Sequence, residues 1–167
     1  RMRIGYVFLP ERGATDLVLA ELSVQLRDAG HTLAGAVQYT SGCGGHHCDM
    51  DLQVLPDGPV LRISQNLGGA STGCRLDAGA LERAVMEVAQ RLAGAQLLIV
   101  NKFGKHEAEG RGFRQLIAEA LSAGLPVLIG INSMNRGAFF DFVGDLAEPV
   151  PAEKVADWAR LVMAEVV

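Results

Sequence analysis

Three segments of this sequence combine residue types that could do chemistry. The first, Asn66-Leu67-Gly68-Gly69-Ala70-Ser71-Thr72-Gly73-Cys74-Arg75, joins three glycines, two hydroxyls and an arginine just ahead of a helical pattern. Glycines let several backbone N–H groups converge on an oxyanion, and a helix N-terminus and a guanidinium favour the same charge. Gly68, Gly69, Ser71, Thr72, Gly73 and Arg75 are therefore candidate anion ligands; the other reading is a surface loop whose Arg75 pairs locally with Asp77. The second segment, 101–112, carries Lys102, Lys105 and Arg111, with Arg114 close behind. Asn101, Lys105 and Arg111 extend the candidate anion or nucleotide site, and Lys105 and Arg111 rank above Lys102 and Arg114 because they lie in the Gly-flanked stretch. Glu107 and Glu109 could instead neutralise these cations, and i,i+4 spacing predicts a Glu107–Arg111 pair worth a few tenths of a kcal/mol. The third segment is Cys43-Gly44-Gly45-His46-His47-Cys48, with Cys74 apart from it. Cys43, His46, His47, Cys48 and Cys74 supply the soft and imidazole donors of a transition-metal site, zinc included, although no Cys-x-x-Cys pair is present. Three cysteines are an odd number, which ranks free thiols or metal ligands above a structural disulfide, with a Cys48–Cys74 redox pair as the alternative.

The elements that must position these segments follow from hydrophobic periodicity. Ile4 to Leu9, Thr32 to Gln38, Gln96 to Val100 and Leu125 to Ile131 read as buried strands. Helical spacing places Leu19, Leu22 and Leu26 on one face of a helix over 17–29. Asp77 is the expected N-cap of a second helix with Leu81, Val85, Val88 and Leu92 inward, and further helices are expected over 112–123 and 152–167. Pro56-Asp57-Gly58 between two short apolar runs predicts a β-hairpin, while 132–145 fits no single template. Alternating strands and helices in one 167-residue chain imply a single α/β domain: three layers, a mostly parallel sheet with helices on both faces, and a short hairpin. Ligands of such sheets gather at the carboxyl ends of the strands, which by position are Leu9 to Thr15, Gln38 to Cys48, Asn101 to Gly112 and Ile131 to Arg136.

In P-loop proteins the first strand runs into a Gly-rich loop, a lysine on the phosphates and a Ser or Thr on magnesium. Here that position reads Phe8-Leu9-Pro10-Glu11-Arg12-Gly13-Ala14-Thr15-Asp16, with one glycine, no lysine and two acids. Arg12 could meet an anion, and Thr15 is expected to cap the helix. Leu97-Leu98-Ile99-Val100-Asn101-Lys102-Phe103-Gly104-Lys105-His106-Glu107 resembles the segment of the small nucleoside-triphosphatase family in which an apolar strand ends in Asp-Glu, followed by Ile-Gly-Lys-Met-Glu. Gly104, Lys105 and Glu107 match that pattern, and Asn101-Lys102 stand in place of the acids. Through Gly35-Ala36-Val37-Gln38, Ile63-Ser64-Gln65-Asn66-Leu67-Gly68, Gly73-Cys74-Arg75-Leu76-Asp77, Asn101 to Lys105, Glu107 to Gly112 and Pro126-Val127-Leu128, the chain resembles a bacterial family of degenerate, P-loop-related nucleoside-triphosphatase-like proteins often associated with molybdate-transport genes. The resemblance implies the fold, and through gene company it implies a molybdenum connection.

Composition narrows the partners. A net charge of −4 with no concentrated basic face argues against nucleic acid. No apolar run approaches the roughly 20 residues that span a bilayer, and no signal peptide is legible, so cytoplasm is the expected compartment. The expectation is a pseudo-NTPase that binds a small oxyanion (molybdate or phosphate) or a nucleotide through its phosphates, in molybdenum homeostasis. Alternatives are a divergent Mg-dependent nucleoside triphosphatase using Glu107, and a Cys/His metal- or redox-sensing module. A homo-oligomer is compatible with each.

Overall fold

In a computed structural model, the structure describes residues 2–42, 48–65 and 75–166. The elements in chain order are β1 (Ile4–Val7), α1 (Ala14–Asp28), β2 (Leu33–Ser41), β3 (Asp49–Leu55), β4 (Val60–Arg62), β5 (Ser64–Gln65), β6 (Arg75–Leu76) and α2 (Ala78–Ala89). They continue with β7 (Leu97–Phe103), α3 (Lys105–Ala108), α4 (Arg114–Ser122), β8 (Val127–Ile131), α5 (Arg136–Val143), β9 (Ala147–Pro149) and α6 (Val155–Glu165). Seven strands form one sheet in the order β4-β3-β2-β7-β8-β1-β9, parallel from β2 through β9 and antiparallel across β2, β3 and β4.

The apolar runs are strands because both faces are covered. Leu98 and Val100 join one core layer, with Ala84 and Val88 of α2, Ile117 and Ala120 of α4 and Phe139 of α5. Leu97 and Ile99, pointing the other way, pack with Leu19, Leu22 and Leu26 of α1 and with Ala159 and Val162 of α6. The period-two side-chain alternation of a strand thus feeds two cores, so neither face needs polar residues. The sheet is tightest at Gly35, where φ is +121° and a Cβ would lie 1.9 Å from the Ile99 carbonyl oxygen.

The expected hairpin forms, with Gln53 opposite Val60 and Leu52 opposite Leu61. Several boundaries differ from the sequence reading. Helix α1 begins at Ala14 rather than Leu17, because Gly13 adopts a left-handed φ of 80° that turns the chain directly into the helix. Segment 132–145 contains α5, and β9 adds an edge strand that the reading lacked. Among the described residues, no helix is long and apolar enough to cross a membrane.

Candidate functional site

Strands β1, β2, β7 and β8 are parallel, so their carboxyl ends open on one edge of the sheet. The turn between β1 and α1 lies there, and its chemistry is set by three buried or half-buried polar side chains. Asn101, third from the end of β7, is 4% exposed, so its amide needs partners. Its Oδ1 accepts from the Gln38 backbone N–H at 3.0 Å, and its Nδ2 donates to Asp16 Oδ1 at 2.8 Å. Both ends of the amide are engaged, tying β2, β7 and the first turn of α1 together. Burial, opposed by the Asn101 hydrogen bond and the charge of Lys102, raises the Asp16 carboxyl above the usual carboxylate range.

The close fit has a steric origin in β8. Gly130 has no side chain, and a Cβ there would lie 2.2 Å from the Asn101 carbonyl oxygen and 2.9 Å from Thr15 Cγ2. Thr15 does not cap α1 as expected. Gly13 is the N-cap residue, without a side-chain hydrogen bond, and the Thr15 hydroxyl accepts from the Leu9 N–H at 3.3 Å, closing the turn. Ala14 is the first helical residue, so after Gly13 a methyl group stands where the phosphate-binding motif has its lysine.

The second segment folds around Glu107, which is 4% exposed. Its Oε1 accepts from the Gly104 N–H at 2.9 Å and its Oε2 from the Phe113 N–H at 3.0 Å, so the carboxylate joins the chain before α3 to the chain before α4. Gly112, with φ +60°, is required beside it, since a Cβ would fall 1.8 Å from Glu107 Oε2. The expected Glu107–Arg111 pair is therefore not formed. Arg111 pairs with Glu109 on the exposed surface, because Glu107 points into the turn. The Arg114 Nη1 donates to the Glu107 carbonyl at 3.2 Å, and its guanidinium lies 4.5 Å from the centre of the Phe142 ring, which commits it to packing. Lys102, Lys105 and Arg111 are exposed, and among the described residues neither lysine has a carboxylate within ion-pair distance.

Arg75 is exposed on β6, opposite Gln65. It does not pair with Asp77, whose carboxylate caps α2 by accepting from the Ala80 N–H at 3.1 Å. Glu82 of α2 accepts from the Gly112 N–H at 2.9 Å, so the N-terminal half of α2 and the turn between α3 and α4 are neighbours. Gly68, Gly69, Ser71, Thr72 and Gly73 lie outside the described residues, as do Cys43, His46, His47 and Cys74. Cys48 is disulfide-bonded, which corrects the ranking of free thiol or metal ligand above disulfide for this residue, because a bonded sulfur has no thiolate to give a metal. Arg12 Nη2 lies 3.9 Å from its sulfur.

Asp16, Gln38 and Gly130 are the site residues that sequence reasoning missed. An Asn ending an otherwise apolar strand run was the available signal, since a buried amide demands partners. A cleft of about 510 Å3 lies elsewhere, at the amino ends of β1 and β8, bordered by Arg3, Pro126, Val162 and Glu165. Arg3 bridges Glu148 and Glu165 there, joining β1, β9 and α6.

The whole arrangement is similar to the crystal structure of THEP1 from the hyperthermophile Aquifex aeolicus. The TM-score is 0.63 at 14% identity, covering 99% of this chain and 97% of that one, which supports the α/β, mostly parallel, P-loop NTPase-like fold expected from the sequence. A stretch of 163 residues, 95% of the chain, is 32% identical to part of the molybdenum import ATP-binding protein ModC 2 of Bradyrhizobium diazoefficiens, and the match spans only 18% of that protein's length. The family model described as "Protein of unknown function (DUF2478)" matches residues 4–158, and the chain accordingly belongs to the DUF2478 family.

Proposed function

We propose that this chain is a pseudo-NTPase: a module that binds a small oxyanion or a nucleotide phosphate without hydrolysing it, in the service of molybdenum homeostasis. The observation that carries the loss of hydrolysis is the engagement of Asn101. A Walker-B carboxylate helps hold magnesium, whereas this amide is neutral and already bonded at both ends. Ala14 supplies no charge for phosphates, and both oxygens of Glu107 are occupied by backbone N–H groups rather than held ready for water.

Binding is supported by the cations that remain. Lys105 and Arg111 are exposed close to one turn, and that turn bonds to Glu82 in the N-terminal half of α2, the helix that follows Arg75 in the chain. The molybdenum assignment rests on the import protein that shares this sequence segment.

Thermal unfolding with molybdate, tungstate, phosphate and magnesium nucleotides tests the proposal. A ligand at 100 times its dissociation constant adds about 2.7 kcal/mol. At roughly 2–4 °C per kcal/mol for a chain of this size, the melting temperature rises by about 5–10 °C. Arg75→Ala and Lys105→Ala should each reduce that rise. No shift with any of these anions, or steady magnesium-dependent phosphate release, would overturn the proposal.

A further inference from the structure

Cys48 stands at the carboxyl edge of the sheet, immediately before β3, whose first residue, Asp49, pairs with Ser41 at the end of β2. Its sulfur is in a disulfide bond, and Nη2 of Arg12, in the turn between β1 and α1, approaches that sulfur at 3.9 Å. Strands β2, β7 and β8 separate β3 from β1 in the sheet, so the Arg12 side chain reaches over the carboxyl edge to meet it. Among the described residues no carboxylate lies within ion-pair distance of Arg12, which leaves its charge to the sulfur. Two closed cores, one on each face of the sheet, already hold the fold together. Disulfides that act as staples belong instead to small domains that cannot bury enough apolar surface. A single bond at the loop edge, beside a cation, fits exchange chemistry.

We propose that Cys48 is one half of a reversible redox site: a disulfide that a dithiol reduces, with Arg12 stabilising the Cys48 sulfur as it leaves. Cys48 is 9% exposed, which shields its own sulfur from attack and makes it the leaving side. One thiolate of the dithiol attacks the partner sulfur, and the electron pair of the broken S–S bond leaves on Cys48 Sγ, where the guanidinium favours the thiolate. The second thiolate of the dithiol then displaces the partner sulfur. The dithiol closes to a disulfide, having given up two electrons and two protons, and the protein holds two thiols. This inference goes beyond the pseudo-NTPase reading and does not rest on it.

The experiment follows reduction of the full chain by dithiothreitol, with timed alkylation and mass spectrometry of the peptide that contains Cys48, in the parent, Arg12→Ala and Arg12→Lys. Arg12→Ala should slow the reduction by about threefold, the scale that one unit of thiol acidity sets on exchange rates. Arg12→Lys, which keeps the charge, should recover most of the parent rate. In the reduced protein, alkylation of Cys48 should need a higher pH in Arg12→Ala than in the parent, which a residue of merely structural role would not produce. Oxidised glutathione should restore the bond. Equal rates in the parent and Arg12→Ala, or an Arg12→Lys as slow as Arg12→Ala, would overturn the proposal. So would complete alkylation of Cys48 without reductant after exposure to oxidised glutathione.

Discussion

Replacing Glu107 by glutamine separates a structural carboxylate from a catalytic one. Each carboxylate oxygen accepts a backbone N–H, from Gly104 at 2.9 Å and from Phe113 at 3.0 Å, in a place where Glu107 is 4% exposed. Glutamine offers one oxygen and one NH2 group. Whichever way the amide is turned, one N–H donor faces another, leaving both the backbone group and the amide nitrogen unsatisfied. An orphaned buried polar group costs about 1–3 kcal/mol, so the pair sums to roughly 3 kcal/mol. With a urea m-value near 2 kcal/mol/M for a chain of this size, the unfolding midpoint should fall by about 1.5 M. Urea unfolding followed by circular dichroism measures this directly. A midpoint within about 0.3 M of the parent would refute the account of Glu107 as the residue that ties the turn together. Loss of any activity in this variant would then report the collapse of the turn, and would not identify Glu107 as a group that activates water.

Two further outcomes are expected. Because burial raises the Asp16 carboxyl, the fold favours its protonated form: that contribution is complete below the ordinary carboxylate value and is lost as pH rises through the raised folded value. The stability of Asp16→Asn relative to the parent should therefore climb with pH across that window and then level off; a variant-minus-parent difference that stays flat or falls across it would contradict the burial argument. Gly35→Ala should cost several kcal/mol or prevent folding, since the added methyl would meet the Ile99 carbonyl at 1.9 Å and the residue would hold φ at +121°. A urea midpoint equal to the parent's would show that β2 and β7 can separate there.

The sheet was legible because its strands are buried on both faces, and a run such as Leu97 to Val100 has few other places to go. Helix α2 was legible because Asp77 announces it and performs the capping. β9 was not, because three residues ending in a proline at a sheet edge carry no periodic signal. The candidate site was only partly readable for a related reason. Asn101 and Asp16 are 85 residues apart, and their bond depends on the crossover that brings the start of α1 over β7, a relation no local window contains. Glu107 misled because a carboxylate four residues before an arginine resembles a surface pair. Its true partners are backbone N–H groups, which every sequence has and none advertises.

Gly130 also governs how motion can travel. With Thr15 and the Asn101 carbonyl pressed against the same bare backbone position, the start of α1 and the end of β7 have no slack between them. A close-packed contact of this kind transmits displacement instead of absorbing it. Any force that shifts the end of β7, where Lys102 and Lys105 follow Asn101, reaches the first turn of α1 as a push and not as a loose rearrangement. A bare backbone position in β8 thus makes a rigid coupling between two segments that are distant in sequence.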